Sequence, residues 1–415
     1  MNWILLYHLG LIPISIIATP FFLLSKRGRE RLIERFGFWQ LKSQDEYLWF
    51  HGASLGEIAG IEPVIQNLKK NDLKNKILIT SSSATGLQRA EKFADQAKLL
   101  PFDSFFFYNN ALKDLNIKRL IISETELWPG LLDYAKHKKI ETAIINARIS
   151  DYTVNSYKRL RWLFKPLFQH LYKLIAVSEK SKQRFINLGV SEKIITVLPN
   201  TKYDKAKALS SPAESFGTEI FKNQNTIITL GCLRPGEEEF WFPAVAKAIQ
   251  SLPINFIIAP RHAEKFAYFA AKLSEYNISF QSWSDIKNTN AGDKKVLLLN
   301  VYGKLEAAYS ISSAAFIGAT LVDIGGHNPL DAACYGCYLA LGPYVSTIEE
   351  IVLKLLSENA CITINSIDDA LNFIDFVCKN PEEAKLKGQA AEKVYLEFNG
   401  VSKKVLMNLG LVENA

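Results

Sequence analysis

Several stretches of this chain carry side chains of the right type and spacing to hold a phosphate and move a proton. One is Gly325-Gly326-His327-Asn328-Pro329-Leu330-Asp331. Asn328 suits a helix N-cap, Pro329 suits the first helical position, and Asp331 falls at the capping-box spacing. A helix start of this kind offers free N–H groups and about half a positive charge to an anion, and the two glycines let the backbone come close to it. A well-capped structural helix would leave the same pattern. In Pro260-Arg261-His262 a guanidinium offers phosphate oxygens a planar fork, with an imidazole beside it. Gly231 with Leu233-Arg234-Pro235-Gly236-Glu237-Glu238-Glu239 is a third phosphate-compatible stretch. His51-Gly52-Ala53-Ser54-Leu55-Gly56-Glu57 ends on a carboxylate placed to take the proton of an attacking hydroxyl. A Glu in the first turn of a helix also serves simply to offset the dipole. Ser123-Glu124-Thr125-Glu126-Leu127-Trp128-Pro129 crowds two acids at one point, which is costly without a cation. Arg148, in Asn146-Ala147-Arg148-Ile149-Ser150, is the candidate partner.

Each of these stretches follows a short apolar run. From residue 47 onward YLWFHGAS, KILITSSS, RLIISETE and TAIINARIS read as strands, separated by helical segments such as GEIAGIEPVIQNLKK and ATGLQRAEKFADQ. LIAVSEKSKQRFINLG repeats the unit, with Ser178-Glu179-Lys180-Ser181 as its helix start. Residues 206–225 lack apolar periodicity and read as a linker. The alternation then restarts with NTIITLGC, NFIIAPRH, KVLLLN, AAFIGAT and YLALG. The pattern predicts an α/β protein of two Rossmann-like, doubly wound lobes, spanning 26–205 and 226–395, with the ligand in the cleft that their strand ends face. Residues 396–415 are helical in pattern and could return to the first lobe.

The chain has 415 residues, 48% of them hydrophobic and 22% charged, which suits two globular domains and excludes a disordered protein. Its net charge of +7 suits an anionic substrate or an acidic membrane surface. It carries no zinc-finger or RNA-binding signature, so nucleic acid is not an expected partner. The five cysteines, Cys232, Cys334, Cys337, Cys361 and Cys378, fit no secreted disulfide framework and read as buried thiols of a cytoplasmic protein. Cys334-x-x-Cys337 invites a redox or zinc reading but has no companion pair.

Residues 3–25 hold no charged side chain and are long enough, at ~1.5 Å per residue, to cross a core of about 30 Å. Lys26, Arg27, Arg29, Arg31 and Arg35 follow, which places the bulk of the chain on the cytoplasmic side of a membrane anchor formed by residues 1–25. Pro13 and Pro20 leave a straight span, a broken hairpin and an interfacial segment open, as well as a buried first helix.

In order along nearly the whole chain, the anchor, Ser54-Leu55-Gly56-Glu57, Glu124-Thr125-Glu126-Leu127-Trp128-Pro129, Asn146–Ser150, Lys202-Tyr203-Asp204, Gly236-Glu237-Glu238, Pro260-Arg261-His262 and Gly325–Leu330 resemble the Kdo transferases of lipopolysaccharide core biosynthesis. The resemblance implies the two-lobed GT-B glycosyltransferase fold, with acceptor on the first lobe and nucleotide on the second, and a closing motion of the lobes. It implies inverting transfer of Kdo (3-deoxy-D-manno-octulosonic acid) from CMP-Kdo to a lipid A precursor, lipid IVA, at the cytoplasmic face of the inner membrane, without a metal or other cofactor. Glu57 would be the general base and Glu124 would assist near the donor sugar. Arg261 and Asn328 would hold the CMP phosphate and Asp331 the ribose hydroxyls, with His262, Gly303, Gly325, Gly326 and His327 beside them. Ser54, Gly56, Glu126, Arg148 and Lys202 would support the acceptor side. Asp331 and Lys304 stand where the family more often has Glu, and Phe316–Leu321 lacks its usual double glycine. The rival readings are a nucleotide-sugar epimerase or a transferase of another sugar on the same architecture, and a paralogue that binds sugar nucleotide or lipid without turnover.

Overall fold

The computed structural model describes residues 3–24, 29, 31–71, 74–149, 151–204, 221, 225–286 and 294–413. The chain divides into two compact units, 1–205 with 398–415, and 206–397. Apart from Phe221 and Asn225, the expected linker 206–225 lies outside the described residues, as do Lys26 and Arg27 of the basic flank and Ser150.

In the first unit the strands are β1 (Glu46–His51), β2 (Lys76–Ser81), β3 (Gln96–Leu99), β4 (Asn116–Ser123), β5 (Glu141–Ala147), β6 (Leu171–Ala176) and β7 (Ile195–Val197). They form one parallel sheet in the order β3-β2-β1-β4-β5-β6-β7. The strand order reverses between β1 and β4. At such a reversal the loops leaving the two strands turn to opposite faces and open a crevice. Trp49, Leu120, Ile122 and Ile144 fill one face of this sheet, and Leu48, Phe50, Ile121 and Ile145 fill the other, so the central strands are apolar throughout. The helix Val401–Asn408 closes the second face with Val401, Val405 and Leu406. It is held there by Asp204, whose carboxylate accepts from the N–H groups of Gly400 (2.7 Å) and Ser402 (2.6 Å).

The second unit repeats the plan with β8 (Thr226–Leu233), β9 (Ile254–Pro260), β10 (Phe280–Ser282), β11 (Val296–Leu298), β12 (Ala314–Ile317), β13 (Tyr338–Leu341) and β14 (Cys361–Thr363). Their order is β10-β11-β9-β8-β12-β13-β14, again parallel, with the reversal between β8 and β12.

Two sequence expectations need correction. The helix expected over ATGLQRAEKFADQ ends at Ala90, because Asp95 turns back to accept from Ile77 N–H (2.7 Å) and Gln96 begins β3. The C-terminal helical stretch breaks at Gly400, whose φ of 68° ends one helix, Pro381–Phe398, and starts the next. Of the thiols, Cys334, Cys337 and Cys361 are buried, while Cys232 and Cys378 are only partly so, and none is in a disulfide.

The N-terminal helix Trp3–Leu23 runs unbroken through Pro13 and Pro20. It is long and apolar enough to cross a membrane, and Leu5, Leu6, Leu9, Ile14, Ile16 and Ile17 face outward. Its first half is nonetheless part of the first unit. Tyr7 donates its hydroxyl to Asp103 (2.6 Å). The Nδ1 of His8 accepts from Phe105 N–H (3.1 Å), which leaves the proton on Nε2 to bond Asp133 (2.9 Å). Asp103 also accepts from Tyr108 (2.9 Å) and from the N–H groups of Gly130 and Leu131 (both 2.8 Å), so one buried carboxylate ties three helices together.

Removing that carboxylate strands two phenols and two backbone donors. Asp103→Ala is expected to lower the unfolding free energy by roughly 3–5 kcal/mol, and Tyr7→Phe by about 1 kcal/mol, in urea denaturation of the detergent-solubilised protein. Equal losses in the two variants would show that Asp103 is not the hub.

Candidate active site

In the first unit the residues at the β1/β4 reversal form one acidic group. Ser54 caps the helix Leu55–Lys70, accepting from Glu57 N–H (3.3 Å) and donating its hydroxyl to Glu57 Oε1 (2.9 Å). Ala53 N–H donates to Glu57 Oε2 (2.6 Å). The Ser54 cap and the Ala53 N–H together fix the Glu57 carboxylate on the first turn. Glu124 follows β4 with φ 62°, and its carboxylate accepts from Arg148 Nε at 2.9 Å. The expected partner of the two acids thus serves Glu124. Glu126 instead takes Trp128 Nε1–H (2.6 Å) and lies 4.0 Å from Nε2 of His51. His51 is fully buried, and its Nδ1 bonds Thr80 (3.0 Å) while Nε2 has no hydrogen-bond partner. Burial holds this imidazole neutral, its pKa brought down to about 4.

The electrostatics single out Glu57. Burial, then the charge on Glu126, raise its pKa to about 7, against the pull of Ala53 N–H and the Ser54 hydroxyl and with a smaller push from Glu124. Burial also raises Glu126. A carboxyl poised near neutrality and fixed by two hydrogen bonds is suited to accept a proton.

Other singled-out residues in this unit build the frame. Asn146, with φ 54°, donates from its side chain to Thr201 Oγ1 (2.7 Å) and accepts from Thr201 N–H (2.9 Å), and Thr201 donates to Gly60 O (2.6 Å). This braces the helix bearing Glu57 against the end of β5. Lys202 lies over the Tyr203 ring at 4.6 Å, within the motif that holds the C-terminal helix through Asp204. Gly56 lies on the helix's first turn and is exposed.

In the second unit the β8/β12 reversal gathers a cationic group. Arg234 bonds His262 Nε2 through its guanidinium, and Arg261, directly after β9, lies beside Cys232. His327 lies in the same field. Burial first, then the charges of Arg261, Arg234 and His262, bring its pKa down to about 4, and its buried Nε2 has no hydrogen-bond partner. Asn328 Oδ1 accepts from Leu330 N–H (3.2 Å), and its Nδ2 donates to Asp331 Oδ1 (3.1 Å). The helix after it, Leu330–Ala333, is a single turn, so the half-charge expected of a long helix is not available and the arginines supply the positive field. Gly325 and Gly326 have φ of 101° and 91°, which only glycine adopts without strain, and a Cβ on Gly326 would come within 2.6 Å of Ile348. Gly303 has φ 80° with open space around it, and the neighbouring Lys304 lies over the Trp283 ring at 5.2 Å.

Glu237 does what the sequence did not reveal. Fully buried, it accepts from Arg234 N–H (2.8 Å) and from the N–H groups of Ala319, Thr320 and Leu321 (each 3.0 Å), so it moulds the loop after β12 and fixes the start of the Arg234 loop. Among the described residues no group of three or more His, Cys, Asp or Glu side chains could hold a metal ion.

Residues 30–205 match the family model for 3-deoxy-D-manno-octulosonic-acid transferase (kdotransferase). A bifunctional glycosyltransferase/methyltransferase of Fusobacterium nucleatum is 29% identical over 381 residues, covering 89% of this chain, which spans 59% of that protein's length. The 3-deoxy-D-manno-octulosonic acid transferase of Haemophilus influenzae is 27% identical over 393 residues, 92% of this chain and 91% of the other. Among solved structures, UDP-GlcNAc 2-epimerase from Neisseria meningitidis aligns with a TM-score of 0.57 at 17% identity, over 88% of this chain and 99% of that one. A glycosyltransferase from Rickettsia africae aligns at 0.54 and 12% identity, over 90% of this chain and 100% of the other. These structural likenesses are of fold, the two-unit α/β fold of GT-B glycosyltransferases, which transferase and epimerase share.

Glu126→Gln removes the second-largest cause of the raised Glu57 pKa. The titration midpoint of Glu57, followed by carbon NMR on the selectively labelled protein, is expected to fall from about 7 toward the ordinary carboxylate range. An unmoved midpoint would mean that burial alone sets it.

Proposed function

We propose that this relative of the Kdo transferases is an inverting, CMP-Kdo-dependent glycosyltransferase that adds Kdo to a lipid A precursor, lipid IVA, at the cytoplasmic face of the inner membrane. The observation that carries the reading is the fixed, near-neutral Glu57 at one sheet reversal, in a chain whose other sheet reversal gathers Arg234, Arg261 and His262. Glu57 takes the proton of the acceptor hydroxyl as the oxygen attacks the anomeric carbon. The bond from that carbon to the CMP phosphate breaks through an oxocarbenium-like centre, and the freed phosphate carries the bonding pair away. The arginines and Asn328 hold that phosphate where its charge grows, the task of preorganised donors. Asp331, bonded by the Asn328 amide, accepts from the ribose hydroxyls in this reading. His327, neutral in its cationic surroundings, offers hydrogen bonds without adding charge. Glu124, fixed by Arg148, lies beside the base and steadies the oxocarbenium. No step calls for a metal or other cofactor.

The outward apolar face of Trp3–Leu23 supports attachment to the membrane surface that holds such an acceptor. Epimerisation on this fold would have no use for that face.

Transfer from CMP-Kdo, generated in situ, to the tetraacyl precursor tests the reading. The native chain is expected to form product, with activity rising as pH passes about 7, where Glu57 loses its proton. Glu57→Ala is expected to lose at least about a hundredfold in kcat with CMP binding intact. Product from both at similar rates would remove Glu57 from its role. Bound CMP without product from either would point to another sugar or acceptor, or to a paralogue that binds without turnover.

A further inference from the structure

We propose that His51 is a positioning residue of the acidic group: it turns the lone pair of Nε2 toward Glu126 and so makes Glu126 the carboxyl that holds the group's retained proton, leaving Glu57 free to act as the base. The tautomer follows from the partners of the ring. Nδ1 lies 3.1 Å from Thr80 O and 3.0 Å from Thr80 Oγ1. A carbonyl oxygen only accepts, so the proton is on Nδ1, shared between these two oxygens. In a neutral ring Nε2 then carries a bare lone pair. It is buried and has no hydrogen-bond partner, and Glu126 Oε2 lies 4.0 Å away.

An acceptor aimed at a carboxyl is satisfied only by that carboxyl's protonated form. Glu126 Oε2 already takes Trp128 Nε1–H, and the side chain has no second printed anchor, so a movement of about 1 Å would let a protonated oxygen donate to Nε2. Glu57 is compensated the other way, with one donor on each oxygen: Ser54 Oγ on Oε1 and Ala53 N–H on Oε2. Donors favour the ionised form and a lone pair favours the protonated one, so charge goes to Glu57 and the proton to Glu126.

A proton is available to be placed because the group is short of cations. Glu124 is paired with Arg148, which leaves Glu57 and Glu126 in each other's field without a counter-charge. Two such carboxyls titrate as a pair that keeps one proton into the neutral range. The other titratable group in the field of Glu126 is the phenol of Tyr157, on the helix Asp151–Arg159. By holding the proton on Glu126, His51 reduces the repulsion that Glu57 feels and keeps its midpoint from climbing further. This deepens the proposed function and, in giving Glu57 the part of base, rests on it.

Nitrogen NMR of the full chain labelled in histidine reads the tautomer, with His51 assigned by its loss in a His51→Asn variant or, where that variant does not fold, by through-bond correlation. A protonated Nδ1 and a bare Nε2 are expected at pH 7. A proton on Nε2 would overturn the proposal, because the ring would then donate to Glu126 and favour its charge. His51→Asn keeps a donor for Thr80 O and lacks the second nitrogen. The Glu57 midpoint, about 7 in the native chain, is expected to rise by about one pH unit in this variant while that of Glu126 falls. In the Glu126→Gln background the same change is expected to leave Glu57 unmoved. No rise in the first background, or an equal rise in both, would sink the assignment. In transfer from CMP-Kdo, the rising limb of kcat is expected to move up in pH by the same amount with its alkaline plateau kept. A lowered plateau with the limb in place would make His51 merely structural. If the native chain transfers nothing while the NMR results hold, the functional reading fails and the placing of the proton stands.

Discussion

How a carboxylate is compensated when a sheet reversal takes it out of water decides what each half of this molecule can do. Glu57 and Glu237 occupy matching places, each at the start of the helix that follows the first strand of its sheet. Glu237 is met by four backbone N–H groups and spends its whole accepting capacity on shaping a loop. Glu57 is met by one N–H and one hydroxyl, with a second and a third carboxylate nearby, and is left with basicity to use. The same side chain at the same topological point is thus saturated with donors in one unit and left basic in the other. The number of donors within reach makes the difference.

Much of the fold is legible in the sequence because the central strands of a parallel sheet are covered on both faces and must be apolar runs. β1, β2, β4 and β5, then β8, β9, β12 and β13, stand out for this reason. β3, β7, β10 and β14 do not. Each has only three or four residues at or near a sheet edge, and a segment such as Gln96–Leu99 carries as much polar as apolar character. The helix preceding β3 is overread because nothing in the composition of residues 91–95 announces the turn that Asp95 makes back to Ile77.

At the site, residue types pick out Glu57, its flanking acids and the arginine that pairs with one of them. What the types do not separate is chemistry from scaffolding. Asn146 and Asp204 sit in motifs that carry the family resemblance, yet their partners are Thr201, Gly400 and Ser402. Asp204 reaches across 196 residues of chain to its partner Gly400, and no local pattern encodes such a separation. His51 is hidden for a different reason. A histidine at a strand end reads as exposed, and only burial of the whole ring makes it a neutral neighbour of Glu126.

The docking of the first helix also changes what kind of object this apolar segment is. Because Tyr7 and His8 satisfy Asp103 and Asp133 inside the first unit, Trp3–Leu23 is no detachable tether. A chain shortened past residue 23 would cost two buried acids one partner each and bare the helix faces that had been covered. Solubility gained that way would be drawn from the cohesion of the first unit itself. Conversely, any amphiphile that settles on the outer face of this helix binds only the folded form and so firms the whole unit by mass action. An amphiphile bound there would act as a ligand rather than as mere solvent.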